Sequence, residues 1–102
     1  MRIHVEAEYL KGDVNVVFFQ YATNFRTAID LVDPVTGEHM ARASVNLREV
    51  DHMEDDEVAL KGWSENIGIP EALMEAGVVG PPIKTIYLTY VDATIHKILR
   101  RE

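Results

Sequence analysis

The sequence predicts an α+β fold: an antiparallel β-sheet meander of five or six strands with one short α-helix packed on one face. Three observations carry this. Short runs of apolar–polar alternation recur along the chain, and turn-forming residues separate them. One stretch alone, residues 57–77 (EVALKGWSENIGIPEALMEAG), carries both a helix start and a helix stop. A chain of 102 residues suits one domain built on one core.

Residues 2–10 alternate, with Ile3, Val5, Ala7 and Tyr9 on one face and Arg2, His4, Glu6 and Glu8 on the other. That is a half-buried strand with one wet side. Lys11-Gly12-Asp13 suits a hairpin connection, because Gly accepts positive φ. Residues 14–21 are apolar on both faces, which asks for a central place in the sheet and a covering helix. Leu73 and Met74 are expected to pack on this strand. A turn at Ala22-Thr23-Asn24 leads to a third strand over 26–32, with Ile29 and Leu31 inward. In Asp33-Pro34-Val35-Thr36-Gly37, Asp caps its own backbone, Pro presets φ and Gly supplies a left-handed residue. Residues 39–47 then give the cleanest alternation of the chain, through Ala41, Ala43, Val45 and Leu47.

Residues 48–56 (REVDHMEDD) break the pattern and read as a polar, acidic loop. A short strand over 57–61 follows. Pro70 suits the first helical position, Glu71 the positive end of the helix dipole, and Gly77 the stop. Ser64 could instead cap an earlier turn. Residues 78–82 read as an extended connector ending in Pro81-Pro82, and 83–91 as a strong β run. Residues 92–102 fit either a further strand or a frayed helix, with a basic end at Lys97, Arg100 and Arg101.

Composition excludes several functions. There is no Cys, hence no disulfide and no thiolate metal site. His4, Glu6 and Glu8 interrupt the first apolar residues, so no signal peptide is expected. No apolar run approaches the ~20 residues of a membrane span. Seventeen acidic and ten basic residues give a net charge of −7, which opposes direct binding to nucleic acid or an anionic membrane. No cofactor is expected, since neither a Walker A loop nor GxGxxG is present. His4, His39, His52 and His96 have no metal-ligand spacing, and the acidic loop lacks the pattern of an EF-hand. Ser44 and Ser64 sit in strand and capping contexts rather than in a nucleophile elbow. The chain is therefore read as no enzyme.

One constellation stands out. Glu49, Asp51, Glu54, Asp55, Asp56 and Glu57 lie within nine residues, and no Lys or Arg lies among them. Like charges at that density need either a solvated loop or a basic partner. A solvated loop that aids solubility accounts for the same residues. His52 lies inside the cluster. Trp63, in a polar turn, could anchor the rim of an interface or pack in the core.

Ser44-Val45-Asn46-Leu47, followed by the stretch from Glu57-Val58-Ala59-Leu60 through Lys61-Gly62-Trp63-Ser64-Glu65-Asn66-Ile67-Gly68, resembles a family of small proteins of unknown function. Bacterial plasmids, prophages and conjugative elements encode them. Leu31, Val32, Asp33, Gly37, Glu38 and Glu75-Ala76-Gly77 extend the likeness over roughly the middle half of the chain. The shared residues are structural, not catalytic. The resemblance implies an inhibitor of host defence, of the anti-CRISPR or antirestriction kind, at work in the cytoplasm of the bacterial host cell. Its expected partner is a host defence protein with a basic nucleic-acid-binding surface, such as a CRISPR effector complex. The acidic loop suits that expectation, because carboxylates can stand in for phosphates. The alternative is a self-assembling module, a homodimer joined through an exposed strand edge.

Overall fold

Turn chemistry and alternation divide the chain into seven strands and one α-helix in the computed structural model, which describes all residues from Met1 to Glu102. The strands are β1 (Arg2–Glu6), β2 (Lys11–Gln20), β3 (Thr27–Val32), β4 (His39–Arg42), β5 (Glu57–Lys61), β6 (Val79–Tyr87) and β7 (Asp92–Ile98). The helix, α1, spans Ile69–Glu75. The class is α+β and every pairing is antiparallel.

The sheet differs from the single meander expected. Seven strands divide into a four-stranded sheet, β1-β2-β3-β4, and a three-stranded sheet, β5-β7-β6. The division falls inside residues 39–47. After Arg42 the chain keeps its alternation but changes partner. The Ala43 amide still donates to Ile29 O at 3.0 Å, while Ala43 O accepts from the Lys61 amide at 3.1 Å. Ser44 then faces Leu60, and the Val45 amide donates to Ala59 O at 3.0 Å. One extended segment thus joins the two sheets. The buried Ser44 hydroxyl fixes the crossing, accepting from the Ile29 amide at 2.9 Å and hydrogen-bonding Tyr21 Oη at 2.9 Å.

The first connection also lies elsewhere than Gly12. Ala7 donates to Leu10 O at 2.9 Å, closing the turn over residues 7–10, and Gly12 pairs with Val5 inside the hairpin at φ 125°. The turn after β3 follows its residues. Asp33 Oδ1 accepts from the amides of Val35 and Thr36 at 2.8 and 2.9 Å, and Gly37 has φ 75°.

The helix starts from Gly68 at φ 90°, where a Cβ would meet Ala7 Cα at 3.1 Å. Pro70 occupies its first turn. At its end Gly77 donates to Met74 O and Val78 to Leu73 O, both at 3.0 Å. This pair of bonds, with Gly77 at φ 74°, is a Schellman closure. The backbone of the helix lies nearest β1, β5 and β6 rather than directly over β2. Leu73 reaches the main core, together with Ile3, Val5, Val14, Ile29, Leu31, Leu60 and Ile69. The second face of β2 is covered by guanidinium instead: Arg42 lies 5.0 Å from the Phe19 ring centroid. Val17 on that face stays exposed.

A smaller core forms on the outer face of the second sheet. Leu47 and Val50 from the connecting segment cover Ala59, Ala93 and Ile95. Residues 92–98 are a strand, and Pro81-Pro82 lie within β6 rather than before it. An edge strand tolerates prolines, because one side of its backbone needs no ladder partner. The register shifts twice around them, between Val79 and Pro82 and between Pro82 and Lys84.

Candidate functional site

The acidic loop is held rather than loose. Buried Leu47 and Val50 fix its start, and the Arg26 guanidinium donates to the carbonyls of both. Met53 packs on the smaller core. The Glu57 amide donates to Glu54 O at 3.0 Å, and the Glu54 amide donates to Glu57 Oε1 at 2.8 Å. Arg101 Nη2 and Ile98 N donate to the carbonyls of Asp55 and Asp56 at 3.0 and 2.7 Å.

These contacts sort the six carboxylates into two groups. Glu54, Asp56 and Glu57 are engaged. Asp56 accepts from Lys97 Nζ at 3.0 and 3.2 Å, and Glu57 lies 3.8 Å from the same ammonium. The hydrogen bond it donates to Asp56 raises the pKa of the Lys97 ammonium above the ordinary lysine value. Glu54 pairs with His52 at 2.9 Å. Glu49, Asp51 and Asp55 are exposed and have no ion-pair partner. The basic end is folded back. Arg100 donates to Ala76 O at 2.8 Å, and Arg101 lies 5.2 Å from the Phe18 ring centroid. The chain therefore neutralises part of its own acidic segment.

Trp63 stands apart from these carboxylates. Glu57 faces Lys97 at one end of β5, whereas Lys61 faces Ala93 at the other. Trp63 lies two residues further on, at most about 20 Å from Glu57 at ~3.3 Å per residue. Its ring is half-buried against the smaller core and lines a concavity with Pro70, Met74, Pro82 and Val91.

The sequence reading missed two polar arrangements. His96 is buried on β7, its Nδ1 2.8 Å from Gly80 O and its Nε2 2.7 Å from Thr94 Oγ1. Burial pushes its pKa below the ordinary imidazole value. An isolated His in a β-prone tail carries no mark of burial; only the inward parity of Thr94, His96 and Ile98 could have shown it. The second arrangement is an exposed network on β1 and β2. Asp13 accepts from Arg2 at 3.0 Å and contacts His4 Nδ1 at 3.0 Å, while His4 Nε2 lies 2.7 Å from Glu6. The hydrogen bonds to Asp13 and then to Glu6 raise the His4 pKa, and those from His4 and then Arg2 lower that of Asp13. The largest concavity, about 460 Å³, lies between this strand and α1 and brings Glu6 towards Glu71 and Glu75. No group of three or more His, Asp or Glu is arranged to hold a metal ion. No helix is long and apolar enough to cross a membrane.

No family model, curated protein or solved structure matches this chain.

Proposed function

We propose that this chain is a non-enzymatic interaction domain that presents negative charge to a basic surface of another protein. One observation carries the reading: Glu49, Asp51 and Asp55 are exposed and without cationic partners on a loop that its own contacts hold in place. A loop already ordered loses little conformational freedom on docking, so more of its electrostatic attraction survives as affinity. The net charge of −7 steers the chain towards positive surfaces and away from nucleic acid. Glu54, Asp56 and Glu57 shape the loop, and Trp63, at the far end of β5, falls outside the docking set. The likeness to proteins of mobile genetic elements gives the partner its class. That partner is a host defence protein whose nucleic-acid channel is basic, of the CRISPR effector kind, and the chain acts there as an inhibitor.

The test is binding of the purified protein to CRISPR effector complexes at rising salt. It is repeated with a triple variant, Glu49→Gln, Asp51→Asn and Asp55→Asn. Affinity should fall steeply with salt and should drop several-fold in the variant, with thermal unfolding unchanged. Binding that ignores both salt and the variant removes the electrostatic reading.

A further inference from the structure

The two sheets form one hydrogen-bonded series from β1 to β6, because residues 43–45 bridge β3 and β5. Such a series has two open ends, and the chain treats them differently. On β1 the side chains of Arg2, His4 and Glu6 carry charge or titrate, which is the usual guard of an exposed edge. On β6 and the turn after it, residues 81–91 (PPIKTIYLTYV) hold a single charge, Lys84. Ile83, Tyr87 and Tyr90 are 51%, 78% and 94% exposed.

The direction of the free backbone groups follows from the hairpin. Leu88 donates to Val91 O at 2.9 Å, so these two residues form a hydrogen-bonded pair. Alternation makes Ile86–Ala93 and Lys84–Ile95 the next such pairs. Thr85 and Tyr87 therefore turn their N–H and C=O groups away from β7, to the open side.

We propose that the outer edge of β6 pairs antiparallel with the same edge of a second copy, about a two-fold axis at Thr85. In this register Thr85 faces Thr85 of the other copy, and Ile83 and Tyr87 face each other twice. Threonine–threonine and aromatic–β-branched pairs are the favourable cross-strand combinations. On the opposite face Lys84 meets Ile86, so no like charges oppose each other. The lack of facing like charges matters for a chain of net charge −7, whose copies repel at long range. Pro81 and Pro82 lack N–H groups and end the seam at Ile83, and because both copies use the same edge about a two-fold axis, the contact closes as a dimer rather than growing. This seam is independent of the acidic loop.

The absence of native Cys permits a direct test. Residues facing each other in a hydrogen-bonded antiparallel pair have Cα atoms about 5.5 Å apart, within disulfide reach. Thr85→Cys should form a covalent dimer under mild oxidation, whereas Thr89→Cys, off the axis, should not. In sedimentation over a wide concentration range the unmodified chain should approach twice 11.5 kDa, more readily at high salt. Thr85→Pro removes only an outward donor and Tyr87→Lys sets charge into the seam. Each should leave a monomer, and Arg2→Glu on β1 should leave the dimer intact. A monomer at every concentration, equal crosslinking at both cysteines, or a dimer that survives both β6 variants overturns the proposal.

Discussion

The two apolar cores are closed by different means. The main core joins the inner face of the four-stranded sheet to α1, β5 and β6, and its larger members are fully buried: Ile29, Leu31, Leu60, Ile69 and Leu73. The smaller core is one sheet face of Ala59, Ala93 and Ile95, roofed by Leu47 and Val50 from a loop. A helix closes its side of the first with a continuous apolar stripe, and a loop closes the second with two anchors. The first region holds most of the buried apolar side chains, and the second lies under the acidic loop. A roof of few contacts can carry a dense set of charges without disturbing the fold beneath it.

Breaking the main core gives the largest expected effect. Leu73→Ala should cost about 2–5 kcal/mol, read as a lower midpoint in urea unfolding with an unchanged slope. A cost below 1 kcal/mol would mean that the helix is peripheral. The smaller core should respond less. At about 0.8 kcal/mol per buried methylene, Val50→Ala should cost roughly 1.5 kcal/mol. Its distinguishing mark is local. Amide exchange should speed up over residues 47–57 while β2 and β3 keep their protection. Uniform loss of protection would join the two cores into one cooperative unit. The smallest effect is pH-dependent and concerns His96, which lies on the inner face of β7. Its folded pKa lies below the unfolded value of 6.5, so below that pH the unfolded chain takes up a proton that the folded chain refuses. Stability is full above pH 6.5 and declines as pH falls towards the folded pKa. Thr94 and Gly80 contact the ring, and the Gly80 hydrogen bond and then the Glu71 charge oppose the shift. His96→Gln should flatten this part of a thermal stability profile taken from pH 7 to pH 5. A profile equally steep in the variant would place the titration elsewhere.

Much of this was legible in the residues. Period-2 alternation located β1, β3 and β5, and the two closures follow from the Asp33 carboxylate and from the freedom of Gly77 at positive φ. The partner change at Ala43 was not legible, because alternation tells which face a residue takes and nothing about its neighbour strand. Ala43, Val45 and Leu47 alternate as well across two sheets as along one. The β1–β2 turn was misplaced because Gly12 drew attention from residues 7–10, where Ala7 and Leu10 close the chain without glycine or proline. Of the candidate site, the acidic run was visible and its division into engaged and free carboxylates was not. Lys97 lies 41 residues from Asp56, and only the pairing of β5 with β7 brings them together.

The strand exchange at Ala43 also bears on synthesis. Residues 1–42 make β1 to β4 from neighbours in sequence, so this sheet can form while the remainder is still inside the ribosome. Its greasy face then waits for Leu60, Ile69 and Leu73, which emerge later. Nascent chains that have exposed residues 1–42 but not yet Leu60, Ile69 and Leu73 should be the species that chaperones seize.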